Sequence, residues 1–310
     1  KKNVEAVVIP IPYYDKNPDG SCREIHYEGD EYPKNIPIVP YEKFDFSVHP
    51  DEIYIHNPYD DCNYVTTVPE FFFSNNLKNF TDNLIYVPYF VLGEPDVDNP
   101  QQLEGMKHFA LIPGVVNADH VIVQSENMKK AYVRILTKQF GQDSEGYWEA
   151  KISGEGSAKI EKAKNLKKEN QDIPKEWLDI IYRPDGTAKK IVFYNNSVTS
   201  LLDFRDKMLT KLENSLKIFY ENRDAVALLW RPHPLMEATL VSMEPELWEK
   251  YEAIVENYKK AGWGIYDDTA DMDRALALAD AYYGDPSSLV QLCETREIPV
   301  MIQNVDVLAD

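Results

Sequence analysis

The stretch Ala225-Val226-Ala227-Leu228-Leu229-Trp230-Arg231-Pro232-His233-Pro234 decides the fold class. Six apolar residues run without a break and then stop at a cation, a titratable ring and two prolines. A short continuous apolar run bounded by such breakers reads as a strand buried on both faces, the strand type of a parallel sheet. A second stretch has the same construction: Ala281-Tyr282-Tyr283 is followed at once by Gly284-Asp285-Pro286-Ser287-Ser288. In an open α/β sheet, ligands bind outside the carboxyl ends of the strands. There Arg231 offers a fixed cation, His233 a ring that can donate or carry charge, and Ser287 and Ser288 two hydroxyls on the first turn of a helix. Such a set suits a nucleotide diphosphate.

Strands and helices alternate outward from these two stretches. Strands are expected at Ile191–Tyr194, Gly264–Tyr266 and Pro299–Ile302. A helix over Leu202–Tyr220 would place Met208, Leu212, Leu216 and Phe219 on one face. A second over Pro245–Lys260 would bury Trp248, Tyr251, Val255 and Tyr258, with Gly262 as its stop. Helices at Asp271–Leu278 and Ser287–Thr295 complete this half, the latter with Asp285 as cap and Pro286 in first position. In the first half, Val4–Ile9, Glu52–Ile55, Leu84–Val87 and Val121–Val123 read as strands, and Pro69–Phe80 as a helix. Asn17-Pro18-Asp19-Gly20 is a turn, and Ser125 is a good N-cap for a helix over Glu126–Leu136. Residues 141–188 are charged and glycine-bearing, and read as a connector. The expectation is an α/β protein of two Rossmann-like domains, 1–140 and 189–310, facing across a cleft.

Composition narrows the partners. Lys plus Arg is 33 against 52 Asp plus Glu, a formal net charge of −19. That balance argues against loose binding to nucleic acid, which needs clustered cations. No apolar run reaches the ~20 residues that span a bilayer. Cys22, Cys62 and Cys293 have no metal-ligand spacing and cannot all pair, which suits a reducing, cytoplasmic setting. The chain opens on Lys1-Lys2 without Met, and is expected to be a piece of a longer protein. Dinucleotide-binding glycine fingerprints, phosphate loops, zinc patterns and nucleophile elbows are all missing from the sequence.

Each remaining candidate has a functional and a structural reading. Arg231 and His233 would contact the diphosphate, or form an Arg–carboxylate pair and a satisfied core histidine. Asn195 and Ser197, in the polar run after Tyr194, would hold a phosphate, or only line a loop. Asp268, in Asp267-Asp268-Thr269-Ala270-Asp271, would touch a ribose or a metal, or belong to a helix start. His56, ahead of Asp60 and Asp61, would be a general base, or pack beside a turn. Tyr13-Tyr14-Asp15-Lys16 is a weaker candidate of the same kind.

Four segments in order resemble the CDP-glycerol glycerophosphotransferase family, the teichoic-acid polymerases and primases: Asn117–Glu126, Trp230–Pro234, Tyr266–Met272 and Gly284–Ser288. Gly156-Ser157-Ala158-Lys159 loosely resembles the family's Gly-x-Pro-Arg loop. The resemblance implies a GT-B fold with the nucleotide on the C-terminal domain, and Arg231, His233, Ser287 and Ser288 at the diphosphate. It implies a CDP-glycerol or CDP-ribitol donor, a polyol-phosphate or glycan acceptor, no cofactor and no metal. The acceptor would bring the protein to the inner face of the membrane. The family's histidine, presumed to be its base, has no counterpart in Tyr86–Gly93, so His56 would have to take its place. A second enzyme reading on the same fold is a glycosyltransferase with a nucleotide-sugar donor, and the missing histidine supports a third, a non-catalytic nucleotide-binding domain of a larger protein.

Overall fold

The computed structural model describes residues 4–269 and 271–303. It divides into two compact units. One comprises residues up to Tyr89 with Glu94–Ser157; the other comprises Phe90–Gly93 and the residues from Ala158 onward. The stretch 141–188 is therefore shared between the units. Its strand Ile152–Ser153 completes the first sheet, while its helices Ala158–Asn165 and Lys175–Ile181 belong to the second unit.

The second unit is a five-stranded parallel sheet. Its strand order is Ile265–Tyr266, Val226–Trp230, Lys190–Asn195, Ala281–Gly284, Val300–Ile302. The first strand in sequence lies in the middle. Two successors lie on one side of it and two on the other, which is the Rossmann order around a topological switch point. Alternate residues of the unbroken apolar runs serve opposite faces. Ile191, Phe193, Ala227 and Leu229 join one buried cluster, while Tyr194, Leu228 and Trp230 join the other. Both faces are thus covered by helices, as a parallel sheet requires. Each large side chain buried this way contributes about 1.5–3 kcal/mol.

The first unit has a four-stranded parallel sheet in the order Glu52–Ile55, Asn83–Tyr86, His120–Ile122, Ile152–Ser153. A separate three-stranded antiparallel sheet places Tyr13–Lys16 between Cys22–His26 and Thr66–Thr67. The chain is therefore α/β with two Rossmann-like units, as the alternation predicts.

Several local expectations need correction. Val4–Ile9 is not a strand: Val8 makes a single bridge to Ile38, and Val4 and Val7 stay exposed. Pro69–Phe80 is helical as expected but broken into three short pieces, Glu70–Phe72, Ser74–Leu77 and Lys78–Phe80, and Phe71, Phe72 and Phe80 pack edge-on around Phe46. The helix expected over Leu202–Tyr220 is two helices, Val198–Phe204 and Asp206–Glu221, broken at Arg205 where φ is 47°. Among the described residues no helix is long and apolar enough to cross a membrane.

Candidate functional site

The carboxyl edge of the second sheet gathers most of the singled-out residues, because the central strand ends in Asn195 and the others are followed at once by Arg231, Asp267, Asp285 and Gln303. After the central strand, Ser197 caps the helix Val198–Phe204, its hydroxyl accepting from the Ser200 amide. After the fourth strand, Ser287 caps the helix Ser288–Thr295, its hydroxyl accepting from the Leu289 amide. The two loops are laced across the switch point. The Asp285 amide donates to the Asn195 carbonyl at 3.1 Å, and the Ser197 amide donates to the Asp285 carboxylate at 2.6 Å.

This approach needs Gly284. A Cβ there would lie 2.1 Å from the Asn195 carbonyl oxygen. Asp285, expected to cap the helix, instead lies buried under it. Its second carboxylate oxygen accepts from the Gln303 amide group, at the end of the fifth strand. The cap passes to Ser287 and the helix starts at Ser288, because the carboxylate is held by partners distant in sequence. Gln303 was not singled out in the sequence. Its place directly after the apolar strand Val300–Ile302 was the available signal.

Arg231 is only 6% exposed, and its charge is already matched. Its guanidinium donates to the fully buried Asp267 carboxylate at 2.7 Å and to the Thr269 carbonyl at 2.7 Å. Asn195 donates its side-chain amide to the Arg231 carbonyl at 2.8 Å. Arg231, Asp267 and Asn195 thus fix the edge of the sheet, and the arginine stands in the Arg–carboxylate pair that was its structural reading. Next to Asn195, the wholly buried Asn196 accepts from the Trp230 indole N–H at 2.7 Å and donates to the Tyr251 hydroxyl.

His233 is exposed and not a core residue. Its Nδ1 accepts from the Leu235 amide at 3.1 Å, so the neutral ring carries its proton on Nε2 as a donor. Protein crowding disfavours its charged form and lowers its pKa from 6.5, although solvent still reaches the ring. Ser288 is half-buried on the first turn. Asp268 is exposed and pairs with Lys259, and Asp271 caps the helix Met272–Leu278. Ala270 lies outside the described residues.

In the first unit, His56 follows the strand Glu52–Ile55 and is exposed. Its Nδ1 lies 2.8 Å from the Val87 carbonyl at the end of the neighbouring strand. A carbonyl can only accept, so Nδ1 carries the proton and the Nε2 lone pair is left to accept one. The expected carboxylate support is not what orients the ring. Asp60 is buried and accepts from both the amide and the hydroxyl of Ser74. Burial raises the Asp60 pKa, against the lowering by those donors.

The resembling segment around Asp119 is also structural. Asp119 accepts from the Leu84 amide at 2.9 Å and pairs with Lys78 at 2.7 Å. A cavity of about 630 Å³ lies at the opposite edge of the second sheet, lined by Leu178, Tyr182, Arg183 and Lys189 among others. Arg183 spends its guanidinium there on the carbonyls of Asp224, Ala188 and Ala225 and the Thr187 hydroxyl.

No family model matches the chain, and no curated protein matches it. Solved structures do. The S. aureus MnaA–UDP co-structure is 12% identical over 81% of this chain and 57% of its own, with a TM-score of 0.48. An α,α-trehalose-phosphate synthase (UDP-forming) from Burkholderia vietnamiensis is 12% identical, over 80% of this chain and 56% of its own, with a TM-score of 0.36. An α,α-trehalose 6-phosphate synthase from Burkholderia multivorans is 11% identical, over 83% and 60%, with a TM-score of 0.38. The chain spans less than two thirds of the length of each of these three. The Rossmann order is read from the second sheet itself, while the first sheet is parallel with its strands in sequence order.

Proposed function

We propose that the chain is a transferase of GT-B type whose second unit binds a nucleotide-diphosphate donor. One observation carries the reading: at the switch point of that unit, two loops laced together by Asp285 present two serine-capped helix starts. The longer of those helices, Ser288–Thr295, supplies free amides and a dipole that favour an anion. Ser288 and the Nε2–H of His233 are the proposed side-chain donors. Arg231 is assigned to holding the edge, since its charge is spent on Asp267. Asn195 and Ser197 shape the opposite loop, and Asp268 is left for the ribose.

The finer reading follows the order of the resembling segments. The donor would be CDP-glycerol or CDP-ribitol, and the acceptor a polyol phosphate or glycan. An acceptor hydroxyl would attack the distal phosphorus, the bond from that phosphorus to the CMP oxygen would break, and His56 Nε2 would take the hydroxyl proton. A second reading, a nucleotide-binding unit without turnover, is favoured by the engaged guanidinium of Arg231.

Titration with CDP-glycerol, CMP, UDP-glucose and GDP-mannose, with and without magnesium, tests these readings. Binding of CDP-glycerol and CMP without magnesium, weakened in Ser288→Ala, supports the cytidine donor. Preference for another nucleotide moves the assignment to a nucleotide-sugar transferase. Binding without product release supports the second reading. No nucleotide binding by the folded protein refutes the donor site.

A further inference from the structure

We infer that the antiparallel sheet of the first unit holds a divalent first-row transition cation between Asp15, Glu24 and His26. These three residues occupy adjacent strands of one hairpin. Asp15 stands directly opposite Glu24, and His26 opposite Tyr13. One ligand atom from each lies within 4.8 Å of the other two. His26 Nε2 and Asp15 Oδ2 are 3.0 Å apart. That contact is a hydrogen bond and ion pair between imidazole and carboxylate; two ligands bound to one ion at ~2.0–2.1 Å sit about 3.0–3.4 Å apart, so a cation replacing the Nε2 proton would need little movement of either group.

The surroundings hold the three in place. Tyr13–Lys16 is the central strand of its sheet, paired on both sides, so Asp15 is on rigid backbone. Its carboxylate is buried and forms the floor of the site, Glu24 is exposed, and His26 is half-buried. The Tyr13 ring stacks on the imidazole at 4.8 Å between centroids, which fixes its plane. The Tyr13 hydroxyl donates to Glu28 and so holds the stack from the far side.

The donor set selects the ion. One imidazole nitrogen and two carboxylate oxygens suit zinc or a neighbouring transition metal better than calcium or magnesium, which take oxygen ligands. Three protein ligands leave a position for water. Arg23 is the competitor. Its guanidinium lies 3.1 Å from Asp15 Oδ2, partly exposed, and neutralises the carboxylate when no metal is bound. An entering cation would displace it toward solvent. The site lies wholly within the first unit, and the donor reading does not depend on it.

Zinc is the probe. The chelator-stripped chain is titrated with zinc by calorimetry, and its melting temperature is followed with and without the metal. One equivalent should bind, and the metal should raise the melting temperature. His26→Ala and Glu24→Gln should each weaken binding at least tenfold and abolish the thermal shift. Cys62→Ser should change neither, since Cys62 takes no part in the group. Arg23→Ala, which removes the competitor, should bind zinc as tightly as the parent or more tightly. Failure of the parent to bind overturns the inference. So does unchanged affinity in His26→Ala, with circular dichroism confirming that the variant is folded. A tenfold loss in Arg23→Ala would show that the arginine holds the group together as a salt-bridge cluster, which equally refutes a metal site.

Discussion

Replacing Arg231 with alanine should unfold the second unit's edge before it alters any ligand contact. The substitution removes the charge that faces Asp267, a carboxylate with no solvent exposure. Asp267 would keep only the Thr269 amide and hydroxyl as donors, and the Thr269 carbonyl would lose its own partner. Removing one member of a buried ion pair leaves an uncompensated charge and costs ~3–5 kcal/mol. For a unit of this size each kcal/mol lowers the melting temperature by ~2–4 °C, so a fall of ~6–20 °C is expected. Thermal and urea unfolding followed by tryptophan fluorescence would read it, since Trp230 adjoins the pair in sequence. Arg231→Met combined with Asp267→Leu removes both charges and should recover most of the loss. If Arg231→Ala melts within a degree or two of the parent but no longer binds nucleotide, the arginine is a ligand group and the edge-fixing assignment fails.

Gly284→Ala drives a methyl group to within 2.1 Å of the Asn195 carbonyl oxygen and should cost more than the ~1–3 kcal/mol of ordinary overpacking; a variant of parental stability would show that the two loops are not laced as described. Burial holds Lys151 at a pKa of about 8, below the 10.5 of a free lysine, so between those values the unfolded chain binds more protons and this lysine's contribution to stability rises with pH. Lys151→Met should lack that rise, so urea unfolding curves taken below pH 8 and near pH 10 should diverge from the parent's; parallel curves would contradict the burial. His56→Ala should slow CMP release from CDP-glycerol by ~10²–10⁴-fold with donor affinity nearly unchanged, and full activity would remove the histidine from the reaction.

The sequence disclosed what short-range chemistry determines. Ser125 was readable as a cap and accepts from the Met128 amide; Gly262 was readable as a stop and adopts φ 63°. The buried strands declared themselves because a strand covered on both faces leaves an unbroken apolar run. Hidden were the contacts that join residues far apart in the chain. Asp285 looks like a helix cap beside Pro286, but its partners are 88 residues before it and 18 after it. The hairpin Tyr13–His26 was missed because its outer strand is largely exposed and lacks a hydrophobic face, whereas the apolar Val4–Ile9 found no sheet to join. Arg205 interrupts a continuous amphipathic pattern, so periodicity alone ran two helices together.

The central place of Lys190–Asn195 sets a timetable for synthesis. Its first neighbour, Val226–Trp230, emerges soon after it, but its second, Ala281–Gly284, comes much later. At ~5–20 residues per second on the ribosome, the delay between the two partners is several seconds. Throughout it, Ile191, Val192, Phe193 and Tyr194 form an open strand edge that is apolar on both faces. Such an edge is a template for pairing with another chain. Nascent chains stalled or truncated between Ala261 and Ala281 should therefore aggregate or be captured by chaperones, whereas release beyond Ile302 closes the edge on both sides.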